Sequence, residues 1–176
     1  MSIDYSVLPD GYQVSVFDGE IVLTPQSDTR YWTIESIAFA ARTGQVPRAR
    51  RLSDVLITFP GENDAAPDFV VLADGAEPVP GRKAYDHADV LLTVEVVSQP
   101  GDPKDYERNV VKYGRFGVPH YLVADPFRRR VTLFSEPFTA GYGHEETVAY
   151  DAGEKVVRLA DGTALRLDLA DFPVAD

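Results

Sequence analysis

The sequence contains no cysteine. Disulfides, thiolate nucleophiles and cysteine-ligated zinc are therefore excluded, and any metal must be held by oxygen or by imidazole nitrogen. Histidine is scarce as well. His87 and His144 fall in expected loops and His120 at an expected strand start, so no pair has zinc-ligand spacing. No apolar run approaches the roughly 20 residues of a bilayer-spanning helix. The start, Met1-Ser2-Ile3-Asp4, lacks the basic-then-apolar order of a signal peptide. A cytoplasmic protein with no membrane partner is the expectation. Neither a P-loop nor a dinucleotide-binding glycine pattern occurs, and no histidine is placed to activate Ser98 as a nucleophile.

Positive charge is the other shortage. Lys and Arg number 17 against 28 Asp and Glu, a net charge of -11. That balance opposes a sequence-independent grip on nucleic acid, which relies on Lys and Arg neutralising phosphates. Local clusters can outweigh the total. Arg42, Arg48, Arg50 and Arg51 form one, and Arg128, Arg129 and Arg130 form another. Arg48, Arg50 and Arg51 are the candidate nucleic-acid contacts.

What is present suits a soluble globular chain. With 176 residues, 44% of them hydrophobic and 26% charged, a single domain spanning residues 1–176 is expected. Alternation from Tyr12 to Thr24 about Asp18-Gly19 predicts an opening β-hairpin. Ser27 or Asp28 is placed to cap a helix over Thr29 to Thr43, ending before Gly44, with Trp32, Ile37, Ala38 and Ala41 on its apolar face. A strand is expected over Asp54 to Phe59. The stretch Ala73 to Ala88, rich in Gly, Pro and charge, reads as a surface loop long enough to act as a lid. Pro103 is placed in the first turn of a helix running to Phe116, with Tyr106, Val110, Tyr113 and Phe116 as its apolar stripe. A strand over Pro119 to Ala124 and another over Arg130 to Ser135 form a hairpin. The remainder suggests a small antiparallel extension.

Two apolar runs each carry an acid. Asp68 heads Phe69-Val70-Val71-Leu72, and Glu95 lies inside Val90-Leu91-Leu92-Thr93-Val94-Glu95-Val96-Val97. Both runs read as buried strands. A carboxylate there must shed water, at a cost of several kcal/mol unless a cation, a proton or a hydrogen bond compensates it. Two such acids on neighbouring strands point to a divalent ion such as Mg2+ or Mn2+, with the backbone carbonyl of Val96 as a further oxygen donor. Glu35, on the first helix near Trp32 and Phe39, is an additional candidate ligand. The competing reading makes Asp68 and Glu95 structural acceptors that hold loops in place.

Pro67-Asp68, then Val94-Glu95-Val96-Val97-Ser98, then Asp105 through Lys112-Tyr113, then Gly117-Val118-Pro119 to Asp125-Pro126 together resemble the Uma-type restriction endonuclease family, a branch of the PD-(D/E)xK nuclease superfamily. The resemblance implies an α/β fold: a mixed central β-sheet flanked by helices, with antiparallel β extensions at both termini. It also implies a Mg2+- or Mn2+-dependent DNA endonuclease, commonly a homodimer, with Asp68 and Glu95 as catalytic metal ligands. The superfamily lysine two residues after the acid is here Val97, and the helix lysine of this branch is here Asn109. Lys112 is therefore the candidate catalytic cation, with Lys104 the weaker alternative. If neither serves, the chain is a catalytically inactive relative that acts as a binding or structural module.

Overall fold

A computed structural model describes residues 12–17, 20–25, 28–101 and 103–175. Strands β1 (Tyr12–Phe17) and β2 (Glu20–Pro25) pair antiparallel in the expected hairpin, whose Asp18-Gly19 turn lies outside the described residues, as does Ser27. Helix α1 (Asp28–Thr43) follows and buries Thr33, Ile34, Ile37, Ala40 and Ala41, a stripe at three- and four-residue spacing. Trp32, expected on that stripe, is instead 58% exposed. The helix ends in a Schellman arrangement: Val46 N–H donates to the Ala41 carbonyl and Gln45 N–H to that of Arg42. Gln45 takes the left-handed turn at φ 66°. Gly44 serves packing rather than the turn, since a Cβ there would meet the Ala164 carbonyl at 2.7 Å.

Next come β3 (Arg51–Leu52), β4 (Leu56–Thr58), β5 (Phe69–Leu72), β6 (Ala84–Asp86) and β7 (Val90–Val96). A π-type turn over Lys104–Arg108 leads into helix α2 (Asn109–Arg115). Then follow β8 (His120–Asp125), β9 (Arg130–Phe138), β10 (Gly141–Ala149), β11 (Glu154–Arg158) and β12 (Ala164–Asp168). The main sheet has the order β10-β9-β8-β7-β5-β3. β7 and β8 are parallel and the other neighbours antiparallel. Parallel neighbours need a long crossover, and α2 provides it.

The sheet separates two apolar layers. Side-chain alternation sends Phe69, Val71, Leu92, Val94, Val96, Leu122 and Ala124 toward α1 and the β11–β12 hairpin. Val70, Leu72, Tyr121 and Val123 face the other way, toward Tyr113 of α2 and toward Ile57 and Phe59 around β4. Each fully buried Val, Leu or Phe side chain contributes about 1.5–3 kcal/mol. The central strands are thus apolar on both sides, and a polar group among them stands out.

Three expectations are corrected. The strand over Asp54 to Phe59 contracts to Leu56–Thr58, because it pairs only with β6, in parallel, outside the main sheet. The expected loop Ala73 to Ala88 contains β6 and is tied down further by Val79 N–H to the Ala84 carbonyl and by an Arg82–Asp64 ion pair. Of the expected Thr147 to Tyr150 segment, all but Tyr150 belongs to β10 at the edge of the main sheet, so the terminal extension is the β11–β12 hairpin alone.

Candidate functional site

On β7 the alternation that points Val94 and Val96 at α1 turns Thr93 and Glu95 toward α2. Phe69 of β5 is in register with Val94. One step further along this antiparallel pair sets Asp68 beside Glu95. Both acids are buried.

Asp68 is engaged at both of its oxygens. Its Oδ2 accepts the Val96 backbone N–H at 2.7 Å, and its Oδ1 accepts Arg30 Nε–H at 2.8 Å. Arg30 Nη2 also reaches Asp54 at 2.6 Å, which joins the start of α1 to the segments preceding β4 and β5. At Glu95, Oε1 accepts Tyr113 O–H at 3.0 Å and Asn109 Nδ2–H at 3.3 Å. Its Oε2 lies 3.6 Å from Lys104 Nζ. Asn109 Nδ2 lies 3.3 Å from Asp105 Oδ1 as well, and Lys104 Nζ lies 3.7 Å from that oxygen. Tyr121 O–H fixes the turn by donating to the Asp105 carbonyl at 2.9 Å.

The electrostatics follow from this crowding. Burial, and then the negative charge of Asp68, push the Glu95 carboxyl up to about 8, although the Lys104 cation opposes them. Burial works against the Lys104 charge, yet Glu95, Asp105 and Asp68 hold its ammonium above the ordinary lysine value. The Tyr113 hydroxyl is raised well above its usual value by burial and by Glu95, so it stays protonated and remains a donor.

The sequence candidates separate accordingly. Asp68 and Glu95 come together, and Val96 joins them through its amide N–H, which binds Asp68. Glu35 does not: it is exposed on the outer side of α1, near Trp32 and Phe39, and is corrected out of the ligand set. Lys112 is directed elsewhere, donating to the Asn63 carbonyl with its ammonium 4.5 Å from the centroid of the Phe59 ring. The reason is helical geometry: Asn109 and Tyr113, four residues apart, share the Glu95 side, and Lys112 is turned about a quarter of the circle away. Lys104 takes the position instead. Arg50 donates to the Leu72 carbonyl and to Asp161, and Arg51 Nη1 to the Ala38 carbonyl at 3.3 Å, so both are held within the fold. Arg48 is exposed. Because Arg51 pairs with Val71 and Leu52 with Val70, this cluster lies toward the end of β5 opposite Asp68. Sequence reasoning overlooked Arg30 and, although Asp105 is among the residues that carry the resemblance, gave it no place in the site. The signal for Asp105 was its spacing, since 105, 109 and 113 form one four-residue ladder.

This fold is restriction-endonuclease-like: a mixed sheet flanked by few helices, with acids at adjoining ends of neighbouring strands. The chain belongs to the Uma2 family, described as "Putative restriction endonuclease", which it matches over residues 3–170. It is also similar to the crystal structure of a protein described as "a putative nuclease belonging to DUF820" from Anabaena variabilis ATCC 29413. That match has 16% identity and a TM-score of 0.59, and covers 90% of this chain and 88% of the other. At such identity the likeness concerns the fold alone. No curated protein matches. Among the described residues no helix is long and apolar enough to cross a membrane.

Proposed function

We propose that the chain is a nuclease that hydrolyses phosphodiester bonds of DNA at a Mg2+- or Mn2+-dependent centre formed by Asp68 and Glu95. The observation that carries this reading is the meeting of two buried acids, Asp68 and Glu95, at neighbouring strands, where the Glu95 carboxyl is raised to about 8. A divalent cation offsets both the burial and the repulsion that raise it. The donor set fits such an ion. Each carboxylate oxygen has two lone-pair positions, so the hydrogen bonds on Asp68 and Glu95 leave acceptor capacity on both. Among the described residues no group of three or more His, Asp or Glu is placed to hold a metal. Two carboxylates are enough for Mg2+, which commonly uses one or two carboxylates, waters and substrate phosphate oxygens.

When bound, the ion would neutralise phosphate charge and acidify a water nucleophile. The chain's own residues prepare the place. Tyr113 and Asn109 fix Oε1 of Glu95, which orients Oε2 toward Lys104. The Lys104 side chain is 54% exposed and carries its charge to the rim, where it can stabilise negative charge developing on the phosphate. Water adds at phosphorus and gives up a proton to solvent, the phosphorus–oxygen bond of the leaving nucleotide breaks, and that alkoxide takes up a proton from solvent, so that no net proton is gained or lost.

The experiment is plasmid nicking with Mn2+. Glu95→Gln should lower the rate at least about 100-fold, and Lys104→Ala should cost more than Lys112→Ala. Nicking by Glu95→Gln at the wild-type rate would overturn the assignment. Two features favour the non-cleaving alternative: Asn109 at the family's lysine position and the Arg30 guanidinium on Asp68. In that case the wild type binds DNA and leaves it intact.

A further inference from the structure

Val96 and Ala124 are partners on the parallel strands β7 and β8. Beyond them a cleft of about 160 Å³ opens, bordered by Val97, Tyr106, Glu107, Asp125 and Arg128. A single water needs only about 10–15 Å³. The carboxyl ends of parallel strands are where open α/β sheets usually receive ligands. This cleft adjoins the acidic centre. Val97 is two residues past Glu95, and Tyr106 follows Asp105, which shares Asn109 with Glu95.

Its walls are built. Asp125 is buried, and its Oδ1 accepts the backbone N–H groups of Phe127 and Arg128 at 3.1 and 2.9 Å. Its Oδ2 accepts Tyr106 O–H at 3.1 Å, with Arg128 Nε 3.8 Å away. The guanidinium carbons of Arg128 and Arg130 each lie 5.7 Å from the centroid of the Tyr106 ring. Asp125 is thus largely saturated by the turn and by Tyr106, while two guanidiniums gather around one aromatic ring. Arg130 Nε is buried and makes no hydrogen bond. Guanidiniums match phosphate oxygens through paired N–H groups and stack on aromatic faces.

We propose that this cleft seats a backbone phosphate of the nucleic-acid strand next to the bond positioned at Glu95, held by Arg128 on the cleft wall, with Arg130 adding its charge from beside the Tyr106 ring. The assignment rests on the nuclease reading and deepens it: an acidic protein acquires its grip on a polyanion locally, beside the site. Contacts to phosphate position a strand without reading its sequence.

The test is fluorescence anisotropy of an end-labelled duplex oligonucleotide with the full chain in EDTA, over a range of KCl. Arg128→Ala and Arg130→Ala should each weaken binding about ten-fold and reduce the slope of log K against log salt by about 1, with Arg158→Ala, at an exposed position of β11, unchanged. Arg128 is half exposed, so its variant should keep the fold, which thermal unfolding checks, and Arg128→Lys should restore part of the affinity. Unchanged affinity and slope in both alanine variants would overturn the seat. So would displacement of the oligonucleotide by micromolar inorganic phosphate, which would make the ligand a small anion. The two readings separate cleanly. A wild type that nicks DNA while the arginine variants bind normally refutes the seat alone; arginine-dependent binding in a chain that never nicks refutes the nuclease alone.

Discussion

Glu95 sits in a run of Val and Leu where an ionised carboxylate is expensive, and its surroundings decide how that cost appears. Tyr113 and Asn109 donate to it and Lys104 lies at 3.6 Å, while Asp68 and Asp105 oppose its ionisation. Burial dominates, and the carboxyl is held at about 8 against an ordinary 4.5. Because the folded chain binds this proton more tightly than the unfolded chain, the contribution to stability is fully present below about pH 4.5 and is lost as pH rises toward 8. In EDTA the unfolding free energy should fall by a few kcal/mol across that window, and Glu95→Gln should flatten the decline. Urea titrations at pH 5, 7 and 9 measure it; parallel curves for the two proteins would refute the assignment. The acid itself was legible in the sequence, because Glu is rarely buried unless paired. Its cation was not: Lys104 and Lys112 differ only in helical phase.

At the scale of elements, the β1–β2 hairpin, α1 and the β8–β9 hairpin follow from strand alternation and helical spacing, and each formed near its expected bounds. The segment between β7 and β8 did not follow its apolar pattern. Its most buried positions include Asp105 and Asn109, while Tyr106 and Val110 are only partly buried. A search for apolar stripes fails where a helix turns polar groups inward for a site. The entrance is also widened, since Asn109 N–H donates to the Lys104 carbonyl five residues back. The far end of α2 is fixed by contact rather than chemistry. A Cβ on Gly114 would stand 2.0 Å from the Gly141 carbonyl oxygen at the start of β10, so helix and strand meet backbone to backbone. Gly114→Ala should push α2 outward and cost about 1–3 kcal/mol or more. It should also loosen Tyr113 and Asn109 from Glu95, so nicking should fall along with the urea midpoint. An unchanged midpoint would mean the two elements are not in such close contact.

Across the whole molecule the sheet divides two apolar layers, and the acidic centre opens where β5, β7 and the α2 entrance converge. Arg30 ties that region to the opposite layer. From the start of α1 it reaches both Asp54 and Asp68, thereby joining three separate stretches of chain. No local pattern announces such a contact, because the partners are 24 and 38 residues away. In a chain of net charge -11 the loss of this guanidinium leaves a largely buried Asp68 uncompensated. Arg30→Ala should therefore lower stability by about 3 kcal/mol in EDTA. The same substitution strips the competing cation from Asp68, so a divalent ion there gains a stronger ligand. Stabilisation by a ligand grows with its affinity for the folded state. Mn2+ should thus raise the melting temperature of Arg30→Ala by more than it raises that of the wild type, and should do so for neither Asp68→Asn nor the double variant Arg30→Ala/Asp68→Asn. An equal rise in Arg30→Ala and wild type would mean that Asp68 serves only as the acceptor for Arg30 and for Val96.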